Sequence, residues 1–208
     1  EAKEKLRQEE TLRRKLHNQV QELKGNIRVF CRVRPTLGDE ETKKAELAFP
    51  DAETDSKEVV VQGPDQKSAM GTVTKANNNF SFDRVFGPGS QNGEIFDEIS
   101  QLVQSALDGY NVCIFCYGQT GSGKTYTMSS PDGMIPSAVT QIYETAKSLE
   151  DKGWTYSMEG SFVEVYNETV NDLLGKAEDW NNKKHEIRQD PVKLKTTITD
   201  VTTVDLDS

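Results

Sequence analysis

The hydrophobic pattern of the chain changes period once, at Gly25-Asn26. Before that point, residues 1–24 contain no Gly or Pro and are rich in Glu, Lys, Arg, Gln and Leu, a composition of strong helix formers. Leu16 and Leu23 share one heptad position, Leu12 and Gln19 share the other, and Val20 flanks them. This predicts a coiled-coil helix with a polar-spotted seam. As a helix the segment spans about 36 Å, marginal in isolation, and a solvated single helix is the alternative reading. Gly25-Asn26 ends the pattern, as Gly or Asn past a last turn commonly does.

After Gly25 the period shortens. Ile27, Val29, Cys31 and Val33 alternate with Arg28, Phe30, Arg32 and Arg34, a strand signal closed by Pro35. Residues 36–57 read as an acidic loop, Glu58–Gln62 as a short strand, and Phe80–Phe86 as another that ends at Gly-Pro-Gly. Ile95, Ile99, Leu102, Val103 and Leu107 recur at helical spacing, so residues 92–107 form an amphipathic helix with a core face. The run Asn-Val-Cys-Ile-Phe-Cys-Tyr, 111–117, is continuously apolar and predicts a strand buried on both faces. Helices from Lys124 and over Ile135–Leu149 follow, then a strand over 161–168. The tail from His185 to Leu206 is rich in Thr, Val and Ile and reads as a strand pair around a Lys-bearing loop. Strands alternating with helices imply an α/β fold with a central sheet flanked by helices.

Composition narrows the function classes. A net charge of −9 with 34% hydrophobic residues suits a soluble domain with a modest core and argues against nucleic acid as a partner. No apolar run approaches the ~18 residues of a membrane span, and residues 1–10 carry no signal-peptide core. Three cysteines do not suggest a disulfide framework, so a reducing, intracellular setting is expected.

Gly118-Gln119-Thr120-Gly121-Ser122-Gly123-Lys124-Thr125 fits the phosphate-cradling pattern G-x-x-x-x-G-K-[ST] at every position. Small residues let successive backbone N–H groups fold around phosphate oxygens, and the helix that follows adds its positive end. Lys124 would reach the β- and γ-phosphates, and the Thr125 hydroxyl would ligate Mg²⁺. A predicted strand enters the loop and a predicted helix leaves it, which is the context the motif needs. The dinucleotide fingerprint fails, because Tyr126 stands where its last Gly belongs. The loop is therefore read as a site for a nucleoside triphosphate, ATP or its product ADP.

Four stretches in order, Gly25–Pro35, Phe80–Pro88, Asp108–Met128 and Phe162–Leu174, resemble the kinesin motor domain. The resemblance covers Gly25 to Ser208 and matches the first half of such a motor, with residues 1–24 as the end of a coiled-coil neck or stalk. A coil ahead of the motor is similar to the kinesin-14 arrangement, which implies movement toward microtubule minus ends. Cys116 stands where the family usually has a small Ala. The resemblance implies that Arg32, Arg34 and Pro35 form the adenine side of the pocket with Tyr126; guanidinium and aromatic planes both match a purine face. It places Lys193 and Lys195 in a loop that touches tubulin, and a cationic loop suits an acidic filament. It implies a dimer through the coil, with itself or with a non-motor partner, and a cytoplasmic location on microtubules and the mitotic spindle.

Three other signals are set aside. Asp172-x-x-Gly175 has the form of a γ-phosphate sensor, but the intervening Asn-Glu-Thr-Val-Asn separates it from its strand, and a helical end is expected there instead. Cys113-x-x-Cys116 lies in a predicted strand, where positions three apart face opposite ways, so buried inert thiols are expected. His17 and His185 have no second ligand nearby in sequence. Hydrolysis in this family uses two further motifs, N-x-x-S-S-R-S-H and D-L-A-G, and neither occurs in the 208 residues. The expectation is a microtubule-stimulated ATPase in the intact protein. The alternatives are a non-catalytic microtubule-binding subunit and an inactive truncated fragment; a small-molecule kinase has no acceptor site to support it.

Overall fold

The computed structural model describes residues 2–38, 45–67, 73–176, 178, 183–192 and 195–206. They fall into two compact units, residues 1–152 and 153–208.

The first unit opens with α1 (Ala2–Leu23), which stops where Gly25 takes a left-handed φ of 97°. Its polar face turns inward and its apolar stripe outward. Glu10 and Gln21 are buried, whereas Leu6, Leu12, Leu16, Val20 and Leu23 are exposed. The inward face rests on α2 (Asn92–Leu107). Arg13 Nη1 donates to Asp108 Oδ2 at 3.2 Å, Arg14 lies 3.8 Å from the same carboxylate, and His17 Nε2 lies 3.0 Å from the Gln101 carbonyl. Asp108 caps α2 at its negative end, where an anion is unfavourable unless a cation answers it; its side chain is 1% exposed beneath Arg13 and Arg14. The Arg13 hydrogen bond holds the Glu10 carboxyl below its ordinary value, against burial.

Helix α2 packs the core with three of the five residues its spacing placed there: Ile95, Ile99 and Val103 are buried with Phe86 and Met134, while Leu102 and Leu107 are half-buried. Burying each such side chain contributes about 1.5–3 kcal/mol. Met134 begins α4 (Met134–Glu150), and Ala138 and Ile142 of α4 join the cluster from the next turns. Phe30 of β1 (Phe30–Arg32) meets Phe86 of β5 (Arg84–Phe86) edge to face at 6.2 Å.

Several strands differ from expectation for identifiable reasons. β1 pairs in parallel with β5 over three residues only, and Ile27 and Val29 before it lie exposed. The stretch expected as one strand over Phe80–Phe86 breaks at Phe82-Asp83, where the Asp83 carboxylate accepts the Val29 N–H at 2.8 Å. The break hands the chain from β4 (Val73–Ser81) to β5, and so from one sheet to another. The other sheet is antiparallel, β2 (Glu46–Ala48) beside β3 (Glu58–Lys67) beside β4. β2 arises in a segment expected as loop, and β3 runs past Gln62 through an irregularity between Gln62 and Asp65. Residues 111–117 are not a paired strand. Ile114 packs on the core, but Phe115 and Tyr117 are 79% and 97% exposed. The run is covered on one face, since among the described residues no strand pairs with it.

The second unit holds three antiparallel pairs: β6 (Glu159–Gly160) with β11 (Val204–Asp205), β7 (Val163–Tyr166) with β8 (Thr169–Asp172), and β9 (Ile187–Asp190) with β10 (Lys195–Ile198). The last is the strand pair read from the tail. β7 and β8 are joined at Asn167-Glu168, both at positive φ, as a tight hairpin requires. The helical end expected near Asp172 is therefore a strand. Asp172 is buried and ties strand to loop: its carboxylate accepts the Thr202 N–H at 2.7 Å and the Leu174 N–H at 3.1 Å. The Thr202 hydroxyl and then its N–H hold that carboxyl down to about 2.

Two outcomes follow from this packing. Ile99→Ala should lower stability by about 2–5 kcal/mol, read from the denaturant midpoint. The depressed Asp172 value means its contribution is complete above its ordinary 3.8 and is lost as pH falls toward about 2. The Thr202 amide resonance should titrate with that low midpoint, and Asp172→Asn should abolish the titration. A midpoint near 4 would contradict the assigned contacts.

Candidate nucleotide site

The phosphate loop lies between the half-covered run 111–117 and α3 (Lys124–Ser129). Gly121 and Gly123 take φ of 82° and 97°, conformations a side chain disfavours, and Gly123 is the residue that caps α3. Ser122 N–H donates to the Gln119 carbonyl at 3.1 Å, closing the turn. Lys124 Nζ curls over the loop and donates to the Gly118 and Gln119 carbonyls at 2.9 Å each. An ammonium held by two neutral carbonyls gains more from anionic phosphate oxygens. Gln119, Thr120, Gly121, Thr125 and Tyr126 are exposed, so backbone and hydroxyl donors are open to a ligand. The donor set fits a nucleoside triphosphate with Mg²⁺: a bent glycine backbone, one cation and one hydroxyl. Among the described residues no group of three His, Cys, Asp or Glu could hold a metal by itself, so a cation would arrive with the phosphates and take the Thr125 hydroxyl.

The residues expected on the adenine side are brought together around α3. Arg34 lies beside the loop, its Cβ 3.9 Å from the place a Gly123 Cβ would occupy, and Pro35 is exposed next to it. The Arg32 guanidinium sits 5.4 Å from the Tyr126 ring centroid. Its donors, however, turn into the protein: Nη1 reaches Asn92 Oδ1 at 2.6 Å and Thr127 Oγ1 at 2.7 Å. Asn92 in turn donates to Ser130 Oγ at 2.8 Å and Asp132 Oδ1 at 3.0 Å. The Ser130 hydroxyl, then the Asn92 amide, hold the Asp132 carboxyl below its ordinary value. Asn92, Thr127, Ser130 and Asp132 were missed by the sequence reading. The one available signal was an Asn at the start of an otherwise amphipathic helix, and nothing in the spacing links it to Arg32.

Lys193 lies outside the described residues. Lys195 is exposed at the start of β10, in the second unit. The three cysteines are free; Cys113 and Cys116 are exposed rather than buried, again because one face of 111–117 is uncovered, and Cys31 is half-buried with its thiol pushed up by burial. His17 and His185 hydrogen-bond to backbone carbonyls. Among the described residues no helix is long and apolar enough to cross a membrane.

A family model described as "Microtubule binding" matches residues 6–174. Kinesin-like protein klpA of Emericella nidulans is 73% identical across all of this chain and 27% of its own length. Kinesin-like protein 2 of Schizosaccharomyces pombe is 58% identical across 99% of this chain and 25% of its own. The chain thus spans about a quarter of the length of the curated relatives it matches. Among solved structures, the C-terminal motor and motor homology domain of Kar3Vik1, fused to a synthetic heterodimeric coiled coil, superposes with a TM-score of 0.86 at 44% identity. That match covers 100% of this chain and 53% of the other. With the loop geometry, the microtubule-binding model and these relatives in agreement, the chain belongs to the kinesin family and, within it, to the kinesin-14 type.

Proposed function

We propose that the protein is a microtubule motor that binds ATP with Mg²⁺ at Gly118–Thr125 and couples its hydrolysis to movement toward microtubule minus ends. The observation that carries the reading is the loop itself, with Gly121 and Gly123 at positive φ and Lys124 folded over carbonyls that phosphates would replace. Lys124 screens phosphate charge, and the glycine backbone orients the oxygens. Tyr126, Arg34 and Pro35 bound the adenine side. Bound Mg²⁺ would supply charge neutralisation between the β- and γ-phosphates. Hydrolysis is proposed for the intact protein; neither family motif for it occurs among the 208 residues.

Residues 25–208 are read as the first part of the motor and residues 1–24 as the end of its coil. The outward stripe of Leu12, Leu16, Gln19 and Leu23 supports a dimer through α1, with a second copy or a non-motor partner. The exposed Lys195, with Lys193, is assigned to tubulin contact, and the cell's microtubules, including the spindle, are the expected location.

A non-catalytic microtubule-binding subunit is the second reading; it has no need of an intact phosphate loop, whereas this chain keeps every position. In the full-length protein, Lys124→Ala should weaken ATP binding about 10- to 100-fold, the loss of a charged donor worth about 1.5–3 kcal/mol. It should also abolish the stimulation of ATP turnover by microtubules. Wild-type protein that binds ATP no better than the variant would establish the non-catalytic reading instead.

A further inference from the structure

Helix α3 is six residues long and buries none of its side chains, yet it carries Lys124, Thr125 and Tyr126. A helix so short does not hold itself in water. It is gripped at both ends by one polar network. At its start, Thr127 Oγ1 donates to the Gly123 carbonyl at 3.1 Å while accepting from Arg32. At its end, Ser130 Oγ lies between two acceptors that share its one proton, the Tyr126 carbonyl at 2.7 Å and Asp132 Oδ1 at 2.8 Å, and accepts from Asn92. Asn92 is 0% exposed, and its amide is fully used: Oδ1 accepts from Arg32, and Nδ2 donates to Ser130 and Asp132. The Ser90 carbonyl, at 3.3 Å, takes a donor from Arg32 Nη2. The network is centred on one buried side chain, Asn92, whose amide would carry a desolvation penalty if its partners were lost.

We propose that Arg32 and Asn92 are positioning residues for the phosphate loop, acting on bound nucleotide by locking α3 at both ends. The inference rests on reading Gly118–Thr125 as a triphosphate site. Its geometric basis is the direction of the Arg32 donors, which point to Asn92, Thr127 and Ser90, with the Tyr126 ring already lying against the guanidinium. A residue that holds α3 affects every ligand the helix touches, with or without a base. A stacking residue affects only ligands that carry one.

The test is calorimetric titration of the full-length protein with Mg·ATP and, separately, with Mg·inorganic triphosphate. Arg32→Ala and Asn92→Ala should each weaken both ligands by the same factor, about tenfold, at unchanged binding stoichiometry. The double variant should be no weaker than either single one, because the pair works as one unit. Thr127→Val, which keeps the side-chain shape and removes only the hydroxyl, should move both ligands in the same direction and serves if an alanine variant does not fold. Arg32→Ala that weakens ATP but leaves triphosphate binding intact would overturn the proposal in favour of stacking. A fall in stoichiometry without a change in affinity would overturn it in favour of a merely structural role, as would unchanged affinity for both. Failure of the wild type to bind either ligand would instead remove the triphosphate reading itself.

Discussion

The nucleotide site depends on how a helix too short to stand alone is held. Helix α3 gains almost nothing from the hydrophobic core, which touches it only through the half-buried Met128. Its placement comes from polar contacts that start in β1 and in the first turn of α2 and converge on Asn92. That arrangement links three elements far apart in sequence, at residues 32, 92 and 127. A buried donor or acceptor left without a partner costs about 1–3 kcal/mol, so the buried Asn92 amide favours a single arrangement. The glycines supply a backbone able to bend around phosphate, and the network fixes where that bend is offered.

The same unit shows two surfaces that invert the usual rule of apolar inside. Helix α1 turns charge inward, because Asp108 at the negative end of α2 needs Arg13 and Arg14, and it leaves its leucines outward. Residues 111–117 pack Ile114 on α2 and α4 and present Phe115 and Tyr117 to solvent. Exposed apolar surface of this extent marks a place of contact. The similar solved motor is nearly twice as long as the part this chain matches, with 53% of it aligned.

What was legible in the sequence divides along the same physical line. Long amphipathic patterns were readable: α2 runs over Asn92–Leu107 as expected, α4 begins one residue early, and α1 ends at Leu23, just ahead of Gly25. The phosphate loop was readable because its glycines and Lys124 are contiguous. Strand pairing was less so, since β2 and β8 owe their existence to partners and turns rather than to their own alternation. The Asn167-Glu168 turn hid β8, because Glu is not a residue that advertises a left-handed backbone. The run 111–117 was misread because apolarity reports a preference for burial and says nothing of what is present to provide it. The network around Asn92 was invisible for a related reason: it is made of common polar residues whose meaning lies only in their contacts.

A crystal structure of the full-length protein with Mg·ADP would test the central claim most directly. The account expects the β-phosphate within hydrogen-bonding distance of Lys124 Nζ and of the loop N–H groups, with Arg32 still bonded to Asn92 and Thr127. A nucleotide bound elsewhere, or phosphates in the loop with Lys124 still turned to the Gly118 and Gln119 carbonyls, would contradict it.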